Sequence, residues 1–444
     1  LHSVSSCAPV RRPRPFPLVA AATALASLLG IALIPAVDVV RGASMVARAA
    51  GLDDPFARRL AAFGTVASTT RDLEVPSRWG PLRSRLYLPA SAITRTVVLT
   101  PGVHAEGIDE PRLTKFARDI AAGGFAVLTT ELPDLLRYEI TARLPDQIED
   151  VARWTASRRT LAPDGRIGLV GISFSGGLSV VAAGRPSLAG RVAFTLSFGG
   201  HGDLGRTMRY LCTGVQPDGT LRPPHDYGLV ILLLNFAPFI VPGDQVEPLR
   251  AGVRTFLKAS HVDMVDKPAA RLIFERAIAM EDGLPEPSRR LLHAVNQREV
   301  DYLGPQVLPA LDAVVLPDAV SPERAPAPAS PVFLLHGSDD NVVPAGEAVR
   351  QLSDFVDSED RYREDDMIAD RDALADLIRR FRSTDPVETL QSLLAELRLG
   401  RYPLLHGRTF ELTVGVGGDP GCSVGLVATG AGAVPIAGAE HAQR

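Results

Sequence analysis

The chain has 444 residues, 46% of them hydrophobic and 22% charged, which excludes a disordered or fibrous polymer and leaves room for more than one domain. A net charge of -4, from 47 basic against 51 acidic residues, gives no general pull toward nucleic acid, and no basic patch follows Arg14. Cys7, Cys212 and Cys422 are too scattered for a disulfide framework or a thiolate metal site.

Residues Pro15 to Val37 carry no charge and follow Arg11, Arg12 and Arg14. As a helix, at about 1.5 Å per residue, they reach roughly 35 Å and exceed a bilayer core of about 30 Å. The stretch is longer than a secretory signal needs, and Val40-Arg41-Gly42-Ala43 is a poor cleavage sequence. The expectation is a single-pass N-terminal transmembrane helix, residues 1–50 forming a basic segment and membrane anchor. The preceding arginines favour a cytoplasmic N-terminus and an extracytoplasmic catalytic domain, although Arg41 and Arg48 on the far side weaken the asymmetry.

Residues 51–70 read as a polar, partly helical linker. Strands are expected at Leu73–Pro76 and Leu82–Leu88, joined through Gly80-Pro81. Beyond them, short apolar runs at Thr96–Thr100, Phe125–Thr129, Ile167–Val170, Arg191–Leu196 and Pro331–Leu335 alternate with helical segments near Arg112–Ala122 and Asp146–Arg158. That alternation predicts an α/β fold, a mostly parallel sheet with helices on both faces. Residues 51–200 are then the first part of the core. Residues 201–330 show no convincing strand, and helices are expected over Tyr227–Val241 and near 246–258, 267–280 and 287–297, which makes this stretch a helical cap insertion. Residues 331–444 close the core with an atypical C-terminal region, charged and helical over 357–400.

The informative segment is Arg166–Gly177, read RIGLVGISFSGG. A nucleophilic serine needs a sharp strand-to-helix turn that lifts its hydroxyl above the sheet, with small neighbours that let the backbone fold tightly. Gly171 and Ser175 flank Ser173 at two residues on either side. A competing register would make Ser175 the nucleophile, but only Ser173 has glycine on the strand side. The second signal is Pro331–Pro344, where a strand ends at His336-Gly337 and Asp340 follows in the loop. A carboxylate there can accept a hydrogen bond from an imidazole and fix its tautomer. The lesser alternative is that it caps the helix beginning near Pro344. Asp339 stands one residue too early, Asp203 is the fallback acid, and His336 is expected to hold its own loop.

On these two segments, residues 72–345 resemble the α/β-hydrolase superfamily, whose members carry Ser, then Asp, then His in chain order. The narrower likeness is to poorly characterised bacterial members. The resemblance implies that Pro101–His104 is the loop after the third strand, that Val103 N–H completes an oxyanion hole, and that Phe174 N–H is its partner.

The third triad member is open. His441 follows a strand-like run, Ala433–Ile436, but lies far beyond Asp340; His406 is nearer and precedes the better strand candidate, Thr409–Thr413; neither residue is the remaining alternative. His104 and His201, at strand ends, are next in line. His261 and Asp263 lack a third ligand at metal spacing, so no metal is expected, and no dinucleotide fingerprint or other cofactor signal appears. The expected function is a membrane-bound serine hydrolase acting on an ester or related acyl bond of a small, hydrophobic acyl substrate. The alternative is a non-catalytic protein of the same fold whose cap binds a lipid or partner.

Overall fold

The computed structural model describes residues 40–51, 54–337, 339–357, 410–415 and 423–429. The expected anchor over Pro15–Val37, the charged stretch after 357, His406 and His441 all lie outside the described residues. Among the described residues, no helix is long and apolar enough to cross a membrane.

Among the described residues, nine strands form one sheet: β1 Ser68–Ser77, β2 Gly80–Pro89, β3 Thr96–Thr100, β4 Ala126–Thr130, β5 Ile167–Ile172, β6 Val192–Phe198, β7 Val332–Gly337, β8 Phe410–Gly415 and β9 Ser423–Thr429. Their order is β1-β2-β4-β3-β5-β6-β7-β9-β8. The five central strands, β4 through β7, run parallel; β1 and β2 join antiparallel at one edge and β9 and β8 at the other. Every residue of β3 and β4 is buried, as a parallel sheet covered on both faces requires.

The alternation within β3 separates two layers. Val97 and Leu99 pack with Leu113, Ala117 and Ile120 of the helix Pro111–Ala122, whereas Val98 faces the helices Arg143–Ala156 and Phe174–Ala183. The first of these helices starts cleanly because Pro111 occupies its opening turn and the Glu110 carboxylate accepts from Leu113 N–H at 2.7 Å.

Between β6 and β7 the chain is helical, as expected. Asp226–Ile240, Gly243–Asp263, Lys267–Ala279 and Ser288–Asn296 correspond to the predicted segments; Leu204–Thr213 and Val300–Asp312 are additional. The helix Asp226–Ile240 is apolar around most of its circumference and is accordingly enclosed, with Leu229 through Leu234 all buried. Its residues join the same apolar cluster as Leu178, Ile148 and Val98, so the cap and one face of the sheet share a core.

Candidate active site

The parallel strands bring their C-terminal ends to one edge. Thr100 pairs with Gly171, Ile172 with Phe198, and Phe198 with Leu335, so the loops after β3, β5, β6 and β7 are neighbours. Chain direction reverses between β3 and β5, since β4 lies on one side of β3 and β5 to β7 on the other. Such a switch point opens a crevice at the strand ends, where open α/β sheets bind ligands.

Ser173 stands at that point, between β5 and the helix Phe174–Ala183. Its backbone has φ 55° and ψ -136°, a conformation that costs a non-glycine residue about 1–3 kcal/mol. Two hydrogen bonds hold the turn. Ser173 N–H donates to Phe198 carbonyl at 2.7 Å, and Gly176 N–H donates to Ser173 carbonyl at 2.7 Å. Gly171 is obligatory here, because a Cβ on it would sit 2.1 Å from the Ser175 carbonyl oxygen. Ser175 is fully buried and its hydroxyl donates to the Pro101 carbonyl, whereas Ser173 stays half-exposed at the crevice. The strained, accessible position is therefore Ser173, and Ser175 ties the elbow helix to the loop after β3.

That loop passes directly beside the serine. A Cβ on Gly102 would lie 3.4 Å from Ser173 Cβ. Val103 follows, and its carbonyl accepts from the Tyr227 hydroxyl of the cap at 3.3 Å. Burial, then the neighbouring Tyr138, push the Tyr227 phenol above its ordinary value, so it remains a donor. Phe174 opens the elbow helix, where N–H groups lack intrahelical acceptors and point toward the strand ends.

Asp340 comes to the same edge from the loop after β7. Its Oδ1 accepts from Val342 N–H at 2.9 Å and Val343 N–H at 3.0 Å, the turn-capping role weighed as its alternative. Its Oδ2 lies 3.5 Å from His336 Nε2 and 3.5 Å from where a Cβ on Gly199, just after β6, would stand. Burial raises this carboxyl, but hydrogen bonding from His336 and the two backbone N–H groups outweighs that and holds it below the usual carboxylate range. His336 donates Nε2–H to the Val343 carbonyl at 2.7 Å and lies 3.5 Å from Asp340, so it braces the loop.

The other acids and bases are engaged elsewhere. Asp339 pairs with Arg222 at 2.8 Å. Asp203 caps the helix Leu204–Thr213 by accepting from Arg206 N–H and pairs with Arg324 at 2.8 Å. His201 is fully buried behind the elbow helix, where it donates Nε2–H to Val320 carbonyl at 2.7 Å and its Nδ1 is 2.8 Å from a Cβ built on Gly177. Burial lowers its pKa, so it is a neutral packing histidine. Asp263 shares no ligand cluster with His261, and among the described residues no group of three or more His, Cys, Asp or Glu side chains could hold a metal.

One neighbour of Asp340 was not singled out in the sequence. His225, at the start of the helix Asp226–Ile240, donates its backbone N–H to Asn341 carbonyl at 2.8 Å. Its imidazole is 2.9 Å from Asp226, which raises its pKa against burial, and the charge of Asp340 adds to the rise. No local pattern marks it. Only the return of the cap onto the loop after β7 brings it there.

No protein-family profile and no curated protein matches this chain. Solved structures similar to it include a hyperthermophilic esterase from the archaeon Pyrobaculum calidifontis, with 20% identity over 33% of this chain and 49% of that one, TM-score 0.27. A putative dienelactone hydrolase from Klebsiella pneumoniae shares 16% identity over 30% of this chain and 61% of that one, TM-score 0.26. A thermophilic carboxylesterase from a metagenomic library shares 19% over 41% and 60%, TM-score 0.27. The chain thus spans roughly half to three-fifths of those proteins. Overlaps this partial leave the functional reading to the site's own residues. Five central parallel strands, an antiparallel β1 and β2, and a strained serine turn after β5 give the chain an α/β fold built on a mostly parallel mixed sheet.

Proposed function

We propose that this protein is a serine hydrolase that cleaves an ester or related acyl bond. The observation that carries the reading is the backbone of Ser173, held at positive φ on a tight strand-to-helix turn at the C-terminal edge of the sheet, the geometry that presents a serine hydroxyl for attack. In the proposed reaction Ser173 Oγ attacks the carbonyl carbon while a histidine takes the hydroxyl proton. The resulting oxyanion accepts from the N–H groups of Val103 and Phe174. The histidine then protonates the departing alkoxide, leaving an acyl-enzyme that water hydrolyses by the same route. Asp340 Oδ2 orients the histidine. His441 is the proposed base and His406 its alternative. A cap built on an apolar helix, and Phe198 39% exposed at the strand ends beside Ser173, favour a hydrophobic acyl group.

A fluorophosphonate probe tests the reading. Labelling of the full-length protein should map to the peptide holding Ser173, and Ser175→Ala should keep most of it. A wild-type protein that takes no label and hydrolyses no short-chain ester would favour the lipid- or partner-binding alternative.

The second part of the proposal is that residues 15–37 anchor the protein as a single membrane-spanning helix, with the catalytic part outside the cytoplasm. An uncharged stretch of that length satisfies its backbone hydrogen bonds in lipid only as a helix. After carbonate extraction the protein should stay in the membrane pellet. Intact protein in the supernatant would contradict the anchor, and a shortened soluble form would identify a cleaved signal.

A further inference from the structure

The cap reaches down to the residue after the oxyanion donor. His261, in the last turn of the helix Gly243–Asp263, places Nδ1 2.7 Å from His104 Nε2, with the rings edge-on and their centroids 4.2 Å apart. His261 Nε2 lies 3.1 Å from Glu106 Oε1. Glu106 N–H, in turn, donates to His104 Nδ1 at 3.2 Å.

These three contacts fix both tautomers. A backbone N–H can only donate, so His104 Nδ1 is an acceptor and its proton sits on Nε2. That proton goes to His261 Nδ1, which leaves the His261 proton on Nε2 to be donated to the Glu106 carboxylate. The cycle begins and ends on Glu106, with one hydrogen in each contact. The segment it grips is held at three of its four residues: Tyr227 donates to Val103 carbonyl, and the two histidines hold His104 and Glu106.

We propose that His261 and Glu106 are positioning residues that clasp the cap onto the oxyanion loop and fix Val103 N–H at the reacting carbonyl. The catalytic consequence rests on the hydrolase reading above, whereas the clasp itself does not.

The cycle has no room for an added proton. On His104 Nδ1 it would face Glu106 N–H, and on His261 Nδ1 it would face His104 Nε2–H. Consistently, burial and then His261 lower His104 to about 4, with Arg112 acting in the same direction and Glu110 and Glu106 opposing. The clasp therefore stays closed through the neutral range and opens as pH falls toward that value. Without His261 the ring is less repelled and better hydrated, and its pKa rises toward the ordinary value of about 6.5.

The test uses full-length protein, p-nitrophenyl butyrate turnover across pH, and amide hydrogen exchange of residues 103–106. His261→Leu should lower kcat roughly 10- to 100-fold, less than the roughly 100- to 1000-fold of an oxyanion donor lost outright because Val103 N–H is displaced and not removed, and leave KM nearly unchanged. It should also move the acid limb of the profile up by about one pH unit or more, as the rise in His104 requires, and speed exchange of the loop amides. His261→Gln can accept from His104 and donate to Glu106, so it should restore kcat and loop exchange and bring the acid limb part of the way back, since burial returns but the repulsion of His261 does not. If His261→Leu fails to fold, Glu106→Ala removes only a part-exposed carboxylate and should lower kcat and speed loop exchange in the same direction, while its acid limb does not rise, because Glu106 holds the His104 pKa up. Wild-type exchange and an unmoved acid limb in a folded His261→Leu would overturn the clasp. An inactive wild type would instead sink the hydrolase reading, and loop exchange would still decide the clasp.

Discussion

Ser173→Ala should lower turnover of p-nitrophenyl butyrate by roughly 10⁶ while leaving the denaturation midpoint almost unchanged. The chemistry and the packing separate cleanly at this residue. Among the described residues, no group hydrogen-bonds the Ser173 hydroxyl, so its removal costs the fold little, and alanine bears the positive φ about as badly as serine. Ser175→Ala should behave in the opposite way. It deletes a buried hydroxyl that donates to Pro101 carbonyl and leaves that acceptor unsatisfied, at a cost of about 1–3 kcal/mol. Its turnover should stay within a few-fold of wild type, because the hydroxyl points to the loop backbone and away from the crevice. Urea denaturation and steady-state kinetics on the two variants check both halves. A Ser173→Ala protein that still turns over ester, or a Ser175→Ala protein that does not, would transfer the nucleophile to the other register.

The parallel core was legible because its strands are short apolar runs, wholly buried in β3 and β4. Thr96–Thr100 was read with its observed limits, and β5 and β7 differ from the reading only by a residue or two at their ends. The serine turn was legible because its requirement is local: Gly171 is needed within two residues of Ser173, where a Cβ would strike the Ser175 backbone. The helix Val300–Asp312 escaped notice because Pro305 and Pro309 stand inside it, and β9 because Ser423–Thr429 is a short run among glycines. The partners that the cap brings to the site were not legible either. His104 and His261 are 157 positions apart, and no periodicity or spacing joins them. His225 meets the Asp340 loop only because the cap returns across the sheet edge. Contacts of that kind depend on where an insertion packs, which local sequence does not encode.

Asp340→Asn should keep the fold and lose up to roughly 10⁴ in turnover, because the substitution reverses one hydrogen bond and little else. The amide oxygen can still accept from Val342 and Val343 N–H, so the turn after β7 survives. The amide nitrogen then replaces Oδ2, the atom beside Gly199 in the loop after β6. An imidazole that should donate to that position meets a donor and turns to the wrong tautomer, with its basic nitrogen away from Ser173. Acid stability supplies a second measurement. Asp340 is held below the usual carboxylate range, so the stability it contributes is present above its unfolded value of about 4 and is lost as pH falls through the folded value. The asparagine variant lacks that dependence and should differ most from wild type near neutrality and least in strong acid. Paired with Ser173→Ala, the substitution should cost no more than Ser173→Ala alone, because nucleophile, base and acid act as a unit. Of His441→Ala and His406→Ala, one should match the Asp340→Asn loss. If neither does, and Ser173→Ala is still inactive, the base is another histidine, and His225, already within the field of Asp340, is the first to substitute.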